Sequence, residues 1–452
     1  MKIRKALLIS ACTVAAAYFG VCASAQQTNW SPAVNVPNTP PPNGTIDTHN
    51  SLQHPFRPKP GGGSFSSDPQ FNPVHKPRHL VYIAEPGGSA GGEYPEHRNG
   101  IIVLDADRNY AFLKHIYWGV AASEAPGPEV SGITANVPLN MLYIELRSRL
   151  IAIDLKTDKV VWENAYGGNN LPASHEGGIA ECCERAELSP DGRTLVVGSN
   201  LANFWYVVDA KTGDVRGKIF PAKTRHAHNV AVAPDGKTVF LAASAGNPPV
   251  LSIADLATRK VIQTITFSDL VRPFVINHDG SRVYANVDNL LGFEIGDAKT
   301  GKMIKRVEAP AEMWKSKWAD PNQHFFGHAC PSHGIGLTPD ESELWVVDDI
   351  NDGVLVYDNH GDDNFTLDNK KSFKTTAGAD WITMGLDGKL AYLASGDIVD
   401  VKTHKIVGQL KDEFGVPLHS EKQLELAFLD GKLVQAESQF AEGRPEAVRP
   451  GN

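Results

Sequence analysis

Six side chains able to bind a ligand or carry a proton recur along this chain at intervals of 43 to 61 residues: Glu184, His228, Arg272, His333, Asp380 and Gln423. Each stands seven positions before the Asp of a tight turn, and Gly132 holds the same place before Leu139. Two histidines with carboxylates, an arginine and an amide suit several chemistries. Neutral imidazole binds transition metals, and Gln or a carboxylate completes the shell. His228, His333 and His328 are therefore the candidate metal ligands, for a divalent ion such as Cu, Zn, Mn or Ca. In a metal-free site, His228 or His333 would act as general base and Arg272 would steady an oxyanion. Glu184, Asp380, Gln423 and His175 are candidate contacts to a small molecule or glycan. The plain alternative is that the six groups bond ordered water and one another.

The elements that must position them form a repeat. One half is strand, tight turn, strand: "AELSPDGRTLVVGS", "VAVAPDGKTVFLAAS", "FVINHDGSRVYANV", "GIGLTPDESELWVVD" and "ITMGLDGKLAYLAS". The Asp-Gly turn between aliphatic runs is hairpin chemistry. The other half is an apolar run ending in Asp, a polar turn and a second run, as in "LIAIDLKTDKVVWEN" and "YVVDAKTGDVRGKIF". Its seven Asp residues run from Asp105 to Asp400, about 49 apart. Four strands per unit is the arithmetic of a β-propeller blade, since one small sheet cannot bury both faces alone. The expected fold is all-β, a seven-bladed β-propeller of four-stranded blades over residues 79–440. "RHLVYIAE" lacks a first strand and "LELAFLDGKLVQAE" lacks an outer pair, so the N- and C-terminal strands should share a blade and leave no open edge.

The units "SPDGRTLVVGSN…VVDAKTGDV" and "TPDESELWVVDDINDGVLVYD" resemble the YVTN-type repeats of bacterial seven-bladed propellers. That superfamily includes the heavy chains of quinoprotein amine dehydrogenases. The resemblance implies the fold and says little of function, because one propeller hosts binding modules, hydrolases, lyases and redox subunits.

Long connections gather on one face, here termed the top: 84–100, 119–132, 164–184, 308–333 and 411–423. Long loops in a compact domain carry function. The six ring residues should enter at this face, around the mouth of an axial channel. Nine histidines fall there too, among them His175, His324, His328 and His333. "QHFFGHACPSHG" crowds three of these histidines and Cys330 into one loop, yet matches no closed zinc signature.

Residues 1–25 read as a signal peptide: Lys2, Arg4 and Lys5, an apolar run, then Ala23-Ser24-Ala25. Residues 26–78 read as a Pro/Gly-rich flexible leader and 441–452 as a flexible tail. Cleavage would remove three positive charges and take the formal charge from −9 to −12. An acidic mature chain without a long apolar stretch argues against nucleic acid, a membrane span or an anionic membrane as partner. The expected location is periplasmic or secreted. Cys182, Cys183 and Cys330 would remain, which permits one disulfide. A bridge from Cys183 (or Cys182) to Cys330 comes first, because adjacent Cα atoms across a trans peptide lie ~3.8 Å apart, below the usual disulfide range. A vicinal bridge and thiolate ligation remain open. No P-loop, Rossmann fingerprint, HExxH, GxSxG or CxxCH is present. Three functions compete: a propeller binding a small molecule, glycan, metal or protein at its top face; a metal-assisted lyase or hydrolase acting on an anionic sugar or lactone; and the heavy-subunit scaffold of an amine-dehydrogenase-like redox complex.

Overall fold

The structure, a computed structural model, describes residues 76–85, 100–116, 130–146, 149–166, 182–200, 202–310 and 330–443, all within one compact unit. The signal-peptide and leader readings over residues 1–75 lie outside them, as do His97, His175, His324 and His328. No helix among the described residues is long and apolar enough to cross a membrane.

Nearly every element is a strand in a small antiparallel sheet. Nine strands matter for the site: β1 (Arg78–Glu85), β2 (Val130–Asn136), β3 (Ala186–Leu188), β4 (Thr224–Val232), β5 (Val271–Ile276), β6 (Ile335–Leu337), β7 (Ile382–Met384), β8 (Gln423–Leu429) and β9 (Lys432–Ala436). Strands β2 to β7 each begin a four-stranded unit whose strands pair in chain order. The units of β4 and β5 join at their outer strands through one parallel pair, Thr266↔Lys302, so they form one eight-stranded sheet. A short extra strand, Phe373–Lys374, adds to the unit of β6.

The turns explain why these runs pair. In the outer hairpins Asp209 Oδ1 accepts from the Lys211 and Thr212 amides at 2.9 and 3.0 Å. Asp154, Asp255, Asp297 and Asp400 bond in the same way to the residue three positions on. In the inner hairpins Asp235 does so for Lys237 and Thr238. A carboxylate that caps its own turn supplies the acceptor a tight reversal lacks. The repeated aspartates are therefore structural.

Apolar faces meet between neighbouring units. One cluster joins Ile101 and Val103 to Ile133, Leu142 and Ile151; another joins Tyr143 and Leu150 to Leu195 and Tyr206. The series continues from unit to unit until Val81 and Ile102 meet Tyr392 and Ile398. The last unit thus packs on the first, and the units are arranged as in a β-propeller.

Closure follows the expected joint. β1 pairs β8 from Arg78↔Phe428 to Ile83↔Gln423, so strands from the two ends of the array share a sheet. β9 bonds the opposite edge of β8, because β1 already occupies the other. That sheet has five strands, in the order Ala111–Ile116, Gly100–Asp105, β1, β8, β9.

The chain then crosses the interior. Gln439 Nε2 donates to Ala186 O of β3 at 2.9 Å, and Gln439 O accepts from Trp381 Nε1, beside β7, at 2.7 Å. Ala441 lies parallel to Gly336 of β6, its carbonyl accepting from Leu337 N at 2.8 Å. Gly443 N reaches Ile276 O of β5 at 3.4 Å. A single segment touches the first strands of four units only where those strands converge, so residues 437–443 occupy the axis. Backbone bonding therefore continues three residues past the expected boundary at 440.

Candidate functional site

Arg185 draws the mouth together. It follows the ring member Glu184 and leads into β3, and its side chain is only 2% exposed. Its Nη2 donates to Glu421 Oε2 at 2.5 Å, and its Cζ stands 3.5 Å from the Trp381 ring centroid. Trp381 precedes β7 and Glu421 precedes β8, so one guanidinium ties three units. A cation over the face of Trp gains from the ring quadrupole, and more so when water is excluded. Lys422 Nζ donates to the same Glu421 oxygen.

His333, ahead of β6, joins this cluster. Its ring lies 6.2 Å from that of Trp381, and its Nδ1 is 4.0 Å from Glu421 Oε1. Its backbone N–H donates to Asp349 Oδ2 at 3.0 Å. Asp380 adjoins Trp381 in sequence, and Gln423 adjoins Lys422; both are buried. Glu184 is buried as well, and its charge acts on Lys422. Four of the six ring residues, Glu184, His333, Asp380 and Gln423, thus surround or adjoin one ionic group.

Burial sets the protonation states. It pushes the Asp349 carboxyl up to about 8, with help from Asp348 and Glu421 and against the His333 amide. Burial raises Asp380 well above the carboxylate range, and the charges of Glu421 and Asp349 add to this. Lys422 is lowered by burial first and by Arg185 second. Perturbed carboxyls of this kind concentrate at functional sites.

Segment 437–443 forms the floor. A methyl on Gly132 would overlap Glu145 Oε2 and come within 3.1 Å of both Arg185 Cα and Gln439 Oε1, so the ring position on β2 needs glycine for close approach. Further along lie Glu145, Glu187, Glu437 and Glu442. Burial and mutual repulsion raise Glu145 and Glu442, and burial pushes Glu187 up to about 7.

The other expected residues behave differently. Arg272 is held by Asp288, Nε to Oδ1 at 2.5 Å and Nη2 to Oδ2 at 2.7 Å, so its fork is spent within its own unit. His228 is half-buried on β4. Among the described residues no group of three His, Cys, Asp or Glu side chains is arranged to hold a metal ion, so His228 and His333 form no described metal centre; His328 and His175 lie outside the described residues. The disulfide joins Cys182 to Cys183, which corrects the Cys183–Cys330 bridge. The distance argument assumed a trans peptide, whereas this one is cis, with Cα atoms 3.0 Å apart. Both cysteines sit in the apolar core between the units of β2 and β3, and Ser131 Oγ donates to Cys183 O at 2.7 Å. Cys330 is a buried free thiol donating to Ser332 O at 2.8 Å. All three cysteines are buried, at 1% exposure or less.

Arg185, Trp381, Lys422, Glu421, Asp349 and Gln439 escaped the sequence reading. Three of them are immediate neighbours of ring residues, and that adjacency was the available signal. Gln439 offered none. A separate cleft of about 740 Å³ lies between the outer strands of the β1 and β7 units, lined by Tyr110, Phe112, Val407 and Lys411 among others.

No family model matches the chain. Protein groucho of Drosophila melanogaster is 25% identical over 164 residues, which are 34% of this chain and 21% of groucho, so the match spans about a fifth of that relative's length. The solved structure of Kuenenia stuttgartiensis hydrazine synthase aligns with a TM-score of 0.50 at 15% identity, covering 68% of this chain and 88% of that one. At such identity the likeness is one of fold alone, and with the sheet topology it makes this chain a β-propeller with WD40-like units.

Proposed function

We propose that the chain is an exported, seven-bladed propeller of the YVTN type that binds a small molecule at the top mouth of its axis. The observation that carries this reading is the convergence of Arg185, His333, Asp380, Glu421, Lys422 and Gln423, from four units, on one buried polar group. A buried polar cluster is costly unless its groups are satisfied, and a stability role alone would favour apolar residues there. The N-terminal Lys/Arg, apolar and Ala-Ser-Ala pattern supports export, and the repeat spacing supports seven blades.

A second reading, a lyase or hydrolase, gains one support: Asp349 near 8 beside His333 places a titratable acid in the cluster at working pH. In that reading Arg185 takes the role foreseen for Arg272. The test is a thermal-shift screen of the purified mature protein against neutral sugars, carboxylates, amines and divalent metals, repeated with His333→Ala and Gln423→Leu. Binding that raises the midpoint in the wild type and disappears in both variants is expected. A shift retained in both variants, or none with any class, refutes the mouth as the site.

A further inference from the structure

Two cations at the mouth share a single carboxylate oxygen. Arg185 and Lys422 both donate to Glu421 Oε2, and both side chains are enclosed, at 2% and 4% exposure. Arg185 Nε and Nη1 have no acceptor among the described residues, which leaves three of the guanidinium's five N–H groups unspent. Gln423, 1% exposed, has its Nε2 in the same condition. Unspent donors on a buried cation are expensive, and an acceptor arriving from outside would satisfy them.

We propose that this layer is a site for a small carboxylate, received by Arg185 and completed by Gln423 and Lys422; the proposal rests on the mouth-binding reading and names its ligand class. Charge decides among anions. Arg185 and Lys422 both bond Glu421, and Glu184 acts on Lys422, so two carboxyl groups stand against the two basic side chains. A monoanion enters such a shell on the strength of hydrogen bonds, whereas a phosphate dianion would bring two uncompensated charges into a desolvated space. Burial pushes Asp349 up to about 8 and raises Asp380 well above the carboxylate range, which lessens the repulsion either would offer the ligand. Trp381, held by Gln439 O, fixes the plane of the guanidinium from one face.

The experiment is saturable line broadening of ¹³C-acetate by the mature full-length protein at pH 6.5, with glucose and inorganic phosphate as competitors. Acetate should bind and neither competitor should displace it. Gln423→Glu, which turns the amide donor into an acceptor, and Arg185→Lys should each weaken acetate roughly 30-fold, the loss expected for a buried charged hydrogen bond. Circular dichroism confirms that each variant is folded, and Gln423→Leu serves if Gln423→Glu is not. Absence of saturable broadening, unaltered affinity in folded variants, or displacement by phosphate overturns the carboxylate class. If glucose or a divalent metal instead binds in a His333-dependent way, the mouth remains a site and only the ligand class falls. If no probe binds, both fall.

Discussion

Replacing Asp349 by Asn should stabilise the protein at neutral pH. The carboxyl is pushed up to about 8, burial being the first cause, against an ordinary value near ~3.9. For an acid raised in this way, the folded state holds a proton that the unfolded state has released. The stability it contributes is complete below about pH 4 and is lost as pH rises towards 8. Each unit is worth about 1.4 kcal/mol, so by pH 7 the loss is about 4 kcal/mol, an upper bound because water entry relaxes a buried charge. The amide of Asp349→Asn would keep an oxygen for the His333 N–H, which Asp349 accepts at 3.0 Å, and cannot ionise. The assay is urea unfolding of both proteins at half-unit steps from pH 4 to 8.5. The curves should coincide near pH 4 and diverge above it, the variant's slope being shallower by about 1.4 kcal/mol per unit. Residual slope in the variant belongs to Asp380, Glu145 and Glu187, which shift in the same direction. Parallel curves from pH 4 to 8.5 would refute the assignment of a partly buried, protonated Asp349.

The acid limb has the opposite origin: Asp255 and Asp400 are held below the usual range by bonds from the Thr258 and Thr403 hydroxyls and amides, so their contribution is present above about pH 4 and lost below it. Changing both to Asn should flatten the fall in midpoint between pH 4 and 2, read by circular dichroism melts. Trp381→Phe keeps the ring under Arg185 but deletes the 2.7 Å bond to Gln439 O, at a cost of about 1–2 kcal/mol in urea unfolding. A variant as stable as wild type would deny that the axial segment is docked as described. An unreduced digest should release one peptide carrying Cys182 and Cys183 and lighter by two hydrogens, with Cys330 alkylated only after denaturation. A cross-linked peptide containing Cys330 would overturn the pairing.

The repeat made the strands, the turns and the β1–β8 joint legible, because each depends on a short local pattern. Alignment on the turn Asp singled out Glu184, His333, Asp380 and Gln423, which surround or adjoin one ionic group, for the same reason. What stayed hidden depends on reach. Arg185 stands one position past the ring alignment, yet its side chain is long enough to stack on Trp381 and meet Glu421. Arg272 stands in the ring but has Asp288 sixteen residues on, a partner the ring alignment could not show. β9 repeats the pattern of a second strand and goes elsewhere because its place is taken. No pattern announces a segment such as 437–443, whose bonds come from four different units.

The joint between β1 and β8 pairs Ile83 with Gln423, across nearly the whole array. Such a contact is as non-local as this fold allows, and closing a loop of that length must precede any reward from it. Until β8 arrives, the free edge of β1 offers unpaired amides and carbonyls to any other strand. Residues 437–443 cannot dock before then, since the inner strands they bond must first converge. Folding should therefore pass through an open, sticky array whose lifetime is set by closure, and a lesion at either end should act less on local stability than on yield.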